Sequence, residues 1–65
     1  MEEFELRFLD RANAVVLIRR IFARNDTAAM MEAHLASLTH TLEVWQESRL
    51  VGRRERPLAR RTVTR

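Results

Sequence analysis

The order of apolar and polar residues along the chain predicts short strands around a single helix. Phe4, Leu6 and Phe8 alternate with Glu5 and Arg7. A period of two is typical of a strand with one buried face. We therefore expect the three apolar side chains to face a core and the two charged ones to face solvent.

The next stretch, V-V-L-I-R-R-I-F from Val15 to Phe22, is the densest run of large apolar residues. β-Branched residues favour a strand, and apolar residues on both sides predict a strand inside the sheet, covered on each face. Val15, Leu17 and Ile21 would share one side, and Asp10 to Asn13 would form the preceding turn. A helix is the alternative, because a helical stripe is also present at Ala14, Leu17, Ile18 and Ile21.

A helix is predicted from Ala28 to Leu38. Asn25, Asp26 and Thr27 are all residues that cap helices, and Asp26 is the preferred cap. Apolar residues then recur at spacings of three and four, which predicts one core-facing stripe. The predicted stripe is Ala28, Met31, Leu35 and Leu38.

Alternation returns after the helix. Leu42 and Val44 would face the core and Trp45 the opposite side. A turn at 46–49 and a short edge strand over 50–54 follow, and Pro57 ends regular structure. These assignments predict one α+β domain over residues 1–54, with the elements in the order ββαββ along the chain. Residues 55–65 are predicted to be a basic, disordered tail.

One helix covers only one face of such an antiparallel sheet. The other face would expose apolar side chains, which normally marks an interface. Trp45 is the expected anchor for a partner, since Trp is enriched at interface hot spots, although a lone Trp is also a common core residue. The predicted partner-interface residues are Val16, Ile18, Phe22, Trp45 and Leu50.

The length and composition favour an oligomer. A chain of 65 residues buries a modest core, and without Cys no disulfide can support it. The expected partner is therefore a second copy or another protein. No apolar run is long enough to span a membrane, and the acidic start is unlike a secretory signal, so the expected location is the cytoplasm.

The net charge of +3 is unevenly distributed. Residues 1–52 hold six Arg and eight acidic residues, a net charge of −2, whereas residues 53–65 hold six Arg and Glu55, a net charge of +5. This basic segment, residues 53–65, would either bind nucleic acid non-specifically or only keep the protein soluble. Its arginines are Arg53, Arg54, Arg56, Arg60, Arg61 and Arg65.

No residue pattern predicts catalysis, a cofactor or a metal. His34 and His40 are six residues apart and lack companion ligands. Ser37 and Ser48 have no nucleophile context and are expected on the helix surface and in a turn. Glu43 and Glu47 flank Trp45 but are expected to be solvated, so the chain is not expected to be an enzyme.

Three segments resemble a group of short, uncharacterised alphaproteobacterial proteins. They are F-E-L-R-F-L-D at the start, N-D-T-A-A at the helix entry and L-E-V-W-Q-E-S-R-L-V near the end. The group shares an aromatic-x-Leu-x-Phe-Leu-Asp opening and a Leu-Glu-x-Trp-Gln-x-x-Arg-x-Val ending. The resemblance covers roughly residues 4–54, implies the strand assignment, and implies no activity.

The sequence thus predicts a small non-catalytic interaction or regulatory module, dimeric through an apolar sheet face. The alternative is a DNA-binding repressor that resembles the ribbon-helix-helix class, with a strand at Phe4–Phe8 and helices at Arg11–Arg24 and Asp26–Arg49. That alternative requires a helix through Thr39-His40-Thr41, against the propensity of those residues.

Overall fold

The computed structural model describes residues 1–56. Its four-stranded antiparallel sheet and single helix confirm the α+β class and exclude the two-helix alternative for this part of the chain. Residues 57–65, to which most of the predicted tail belongs, lie outside the described residues. The elements are β1 (Glu2–Leu9), β2 (Val15–Ala23), α1 (Asp26–Ala36), β3 (Thr41–Gln46) and β4 (Arg49–Arg54).

The strands lie in the order β2-β1-β3-β4. The prediction that Val15–Phe22 forms a strand is confirmed, but its predicted place inside the sheet is wrong. β1 and β3 are the central strands, and β2 is an edge strand whose residues are nearly all exposed. β4 forms the opposite edge, and it carries three arginines, Arg49, Arg53 and Arg54.

Two tight turns fix the register of the hairpins. The Asp10 carboxylate accepts hydrogen bonds from the backbone N–H groups of Ala12 and Ala14, at 2.8 and 3.0 Å, as expected of an Asx-turn. Asn13 takes a left-handed conformation with φ 65°, which Asn tolerates. Glu47 in the β3–β4 turn has φ 56°, so this turn is tight without a glycine.

The core lies between the sheet and the helix. Phe4, Leu6 and Phe8 from β1 are buried there with Leu42 and Val44 from β3, as the alternation predicts. Register explains the match, because Leu6 is paired with Val44 and Phe8 with Leu42 on the same face. The two central strands therefore supply the large side chains of the core.

The N-cap of the helix lies one residue before the cap that the sequence favours. Asn25 is the N-cap, and its side-chain oxygen accepts a hydrogen bond from the Ala28 N–H at 2.9 Å. Asp26, the cap that the sequence favours, lies in the first turn, and its carboxylate is bonded to Arg49 instead. The predicted choice among the three candidate caps is therefore wrong.

The predicted core-facing stripe of the helix is also wrong. The buried face is made by Ala29 and Ala33, whereas Met31, Leu35 and Leu38 are exposed. Small side chains let the helix approach the sheet closely, and the neighbouring Met30 places its sulfur 2.7 Å from the position that a Cβ on Gly52 of β4 would occupy. Of the four residues in the predicted stripe, only Ala28 packs against the core.

Candidate interaction site

β2 carries most of the exposed apolar side chains of the sheet. Ile18 and Phe22 are paired with Arg7 and Glu3, whose side chains point away from the helix. Both therefore stand on the open face, as the sequence predicts, with exposed fractions of 52% and 63%. Leu17 on the helix side of the same strand is 50% exposed, because the helix does not reach over this edge.

A β-bulge changes the placement of the first residues of β2. The register shifts between Phe8 and Leu9, so that Phe8 pairs with Leu17 and Leu9 with Val15. Val16 is the extra residue of the bulge and has no direct partner on β1. The predicted sharing of one side by Val15 and Leu17 is wrong, because Val15 lies opposite Leu9 on the other face. Val16 is exposed, but the pairing does not place it beside Ile18.

Trp45 lies on the open face, as expected, and is held by its own chain. The Arg7 guanidinium lies over the indole ring, 4.5 Å from the ring centroid. The indole N–H donates to the Glu43 carboxylate at 3.0 Å. These contacts leave Trp45 half-buried, while its neighbour Leu50 on β4 is exposed.

The centre of the open face is polar, although the sequence predicts an apolar surface there. Arg7 forms an ion pair with Glu5 at 2.7 Å, and Arg53 forms one with Glu43 at 3.2 Å. The alternation places all four side chains on this face, but the pairing register that brings Arg53 beside Glu43 is not evident from the sequence. The exposed apolar side chains of the open face therefore lie at its two margins, with Val15, Ile18 and Phe22 on β2 and Leu50 on β4.

The helix adds a second exposed apolar surface that the sequence analysis placed in the core. Met31, Leu35 and Leu38 are 61%, 69% and 72% exposed. Met31 and Leu35 are four residues apart and share one side of the helix, and Leu38 lies just beyond its end. Phasing the helix on its small residues, Ala29 and Ala33, would have predicted this arrangement.

Of the predicted tail arginines, three are described. Arg53 belongs to β4 and bonds Glu43, Glu55 and the Asn13 side chain, so its charge is largely engaged within the chain. Arg54 lies next to the His34 ring, and the Arg56 backbone N–H donates to the Thr41 hydroxyl at 3.1 Å. Arg60, Arg61 and Arg65 lie outside the described residues.

An exposed ion pair joins the helix start to the last hairpin. Arg49 donates two hydrogen bonds to the Asp26 carboxylate, both at 3.0 Å. The bonds from Arg49 hold the pKa of the Asp26 carboxyl below its ordinary value of 3.8, and those to Asp26 raise the pKa of Arg49. The pair connects β4 to the first turn of α1, and it lies apart from β2.

The residues considered for chemistry have structural surroundings. Ser37 was expected on the helix surface but is buried, and its hydroxyl donates to the His34 carbonyl at 2.9 Å. His40 lies edge-on to the Phe8 ring, with 6.1 Å between centroids. Glu43 contacts Trp45 and Arg53 rather than a second carboxylate. Within residues 1–56, no three His, Asp or Glu side chains are grouped to hold a metal ion.

The described part of the chain contains no helix long and apolar enough to cross a membrane. Comparisons with protein-family models, with curated proteins and with solved structures gave no match for this chain. The resemblance drawn from the sequence motifs therefore stays a prediction. The candidate site thus rests on geometry alone, and its main surface is the exposed edge strand β2.

Proposed function

We propose that this protein is a non-catalytic interaction module that works as a dimer and binds through β2. One observation carries the proposal: an edge strand of nine residues exposes large apolar side chains on both of its faces. Exposed apolar area of this kind marks an interface, and natural sheets normally protect such an edge. The apolar residues of β2 at the surface are Val15, Val16, Leu17, Ile18 and Phe22.

The fold supports a function in binding more than one in catalysis. One open surface groove is lined by Arg7, Arg20 and Arg49, among other residues. Each of these arginines is already paired with a carboxylate of the same chain. The apolar side chains of β2 remain exposed in the described part of the chain. Burying them against a partner is therefore the largest gain in free energy that association can bring.

Sedimentation equilibrium between nanomolar and high micromolar concentrations tests the proposal. We expect the full chain to be dimeric at micromolar concentration, and Phe22→Glu to shift the equilibrium toward monomer by burying a charge at the interface. Leu38→Glu is the matched control, because Leu38 is also exposed but lies beyond the end of the helix. A folded wild-type monomer at every concentration, or equal effects of the two variants, would contradict the proposal.

A further inference from the structure

β2 has one edge without a strand beside it. The sheet order places β1 on one side of β2, and no strand of residues 1–56 pairs with its other side. The strand is nine residues long and contains no proline. Its only charged residues are Arg19 and Arg20 in the middle, so neither end of the edge is protected by charge. Such an edge is open to pairing with another strand.

Only every second residue of β2 presents its N–H and C=O groups to this edge. The Asp10 N–H donates to the Ala14 carbonyl at 2.9 Å, so the next pair, Leu9 with Val15, is not hydrogen-bonded. The bulged pair that follows is bonded, and bonded and non-bonded pairs then alternate to the end of the strand. Beyond the bulge, the residues whose backbone groups point outward are therefore Ile18, Arg20 and Phe22.

We propose that a second copy of this chain occupies the edge, by antiparallel β2–β2 pairing about a two-fold axis at Arg20. This inference rests on the proposed function and specifies its partner and register. The axis lies at the centre of 17–23, the part of β2 beyond the bulge. It brings all three outward residues of each copy into hydrogen-bonded pairs: Ile18 with the partner's Phe22, Arg20 with the partner's Arg20, and Phe22 with the partner's Ile18.

The side chains fit this register on both faces. On the open face, Ile18 meets the aromatic ring of the opposite Phe22, a type of cross-strand pair that stabilises sheets. On the helix face, the register sets Leu17 opposite Ala23 and Arg19 opposite Ile21. Each of these pairs places a side chain that is exposed in the single chain against a side chain of the second copy. The two copies together form one eight-stranded sheet with both helices on the same side.

The central pair of arginines is compensated within each copy. The Glu3 carboxylate lies 3.5 Å from the Arg20 guanidinium, and the Arg20 side chain is 74% exposed, so it has room to turn toward Glu3. Each Arg20 at the axis is thus accompanied by the Glu3 carboxylate of its own chain. Because like charges opposite each other are destabilising, Glu3→Gln should weaken the dimer and added salt should partly restore it.

Disulfide mapping in the full chain tests the edge and its register. The chain has no Cys, so each introduced Cys reports alone. Opposed residues of a bonded pair have Cα atoms about 5.5 Å apart, within reach of a disulfide. We therefore expect Arg20→Cys to cross-link to a covalent dimer. Ile18→Cys and Phe22→Cys should not cross-link alone, because like positions are four residues or about 14 Å apart, but their mixture should form the mixed dimer.

A proline variant tests the main-chain pairing separately. Ile18→Pro removes an outward N–H and none of the bonds to β1, and proline is tolerated at such an edge position. Two inter-chain hydrogen bonds are removed per dimer, so we expect association to weaken on the order of tenfold to a hundredfold. Ile18→Val keeps the N–H and is the control. Trp45 fluorescence establishes that both variants are folded.

The outcomes separate the two proposals. Cross-linking by Arg20→Cys and by the Ile18→Cys and Phe22→Cys mixture, with weaker association of Ile18→Pro, supports the inference. A wild-type dimer that shows neither cross-link and tolerates Ile18→Pro overturns edge pairing while the interaction function stands. A wild-type chain that stays monomeric at all concentrations overturns both. Cross-linking by Leu35→Cys, with no cross-link from the β2 variants, would place the contact on the helix and refute the inference.

Discussion

The sulfur of Met30 lies 2.7 Å from the position that a Cβ on Gly52 would occupy. Glycine at this point of β4 lets the helix side chain rest on the strand backbone. Gly52 does not need its conformational freedom, because its φ is not positive. The absence of a side chain is what the contact requires.

Gly52→Ala should therefore destabilise the chain by at most about 1 kcal/mol, because the flexible end of Met30 can shift aside. In a Met30→Ala background the same change should be neutral or stabilising, since glycine inside a strand costs roughly 0.5–1 kcal/mol relative to alanine. Urea unfolding of the four proteins of this double-mutant cycle measures the coupling. Equal effects of Gly52→Ala in both backgrounds would show that the close contact has no energetic weight.

The phase of the helix gives a second prediction. Ala33 is fully buried against the sheet, so Ala33→Leu should cost about 1–3 kcal/mol or more through overpacking. Leu35 is mostly exposed, and Leu35→Ala should cost well under about 1 kcal/mol of unfolding free energy. Chemical denaturation at a fixed protein concentration compares the two variants. A larger loss for Leu35→Ala would place Leu35 in the core, as its spacing with Met31 and Leu38 predicts.

The loss of stability at low pH gives a third prediction. The Arg49 hydrogen bonds lower the pKa of Asp26 in the folded chain, so the pair favours folding above pH 3.8 and its contribution is lost as the pH falls through the lowered pKa. NMR titration of the Asp26 carboxyl should give a midpoint below 3.8, and Arg49→Gln should move it up toward that value. An unchanged midpoint in Arg49→Gln would show that the ion pair does not persist in solution.

The charge distribution gives a fourth prediction. If the chain binds nucleic acid, the affinity for duplex DNA should be independent of sequence, with a salt slope no steeper than about −5 per subunit. Replacing Arg60, Arg61 and Arg65 together by Gln should reduce that slope by about 3, one unit for each phosphate that is no longer neutralised. Arg53→Gln is the comparison and should change it less, because Glu43 and Glu55 already pair with Arg53. Sequence-specific binding that survives the triple substitution would contradict the assignment of binding to the tail.

The two central strands, β1 and β3, were predictable from the sequence, because buried and exposed residues alternate along both of them. Phe4, Leu6 and Phe8 alternate with charged residues, and Leu42 and Val44 alternate with Glu43, so one face of each strand had to be buried. The turn at Asp10 was also predictable, because an Asp carboxylate in a turn accepts hydrogen bonds from the backbone N–H groups that follow it.

The errors share a physical cause. Apolar character shows that a residue benefits from burial, but it does not say which surface buries it. The run from Val15 to Phe22 is therefore predicted inside the sheet, although it lies at its edge. The prediction phases the helix on its largest side chains, yet Ala29 and Ala33 face the core because only small residues allow a close approach to the sheet. The position of Arg7 over Trp45 depends on strand register, which alternation alone cannot give.

The opposite edge of the sheet limits how far such pairing can extend. When two β2 strands meet, both outer borders of the combined sheet are β4, and each border carries Arg49, Arg53 and Arg54. Arg49 and Arg53 are paired with carboxylates of their own chain, but charged side chains still protect a sheet edge from pairing, and neither border offers the apolar strand that the first contact used. A contact between identical surfaces also closes on itself, whereas a head-to-tail contact would go on to build fibres. The charged β4 borders would thus make association stop at two copies and keep the exposed β2 strand from seeding a polymer.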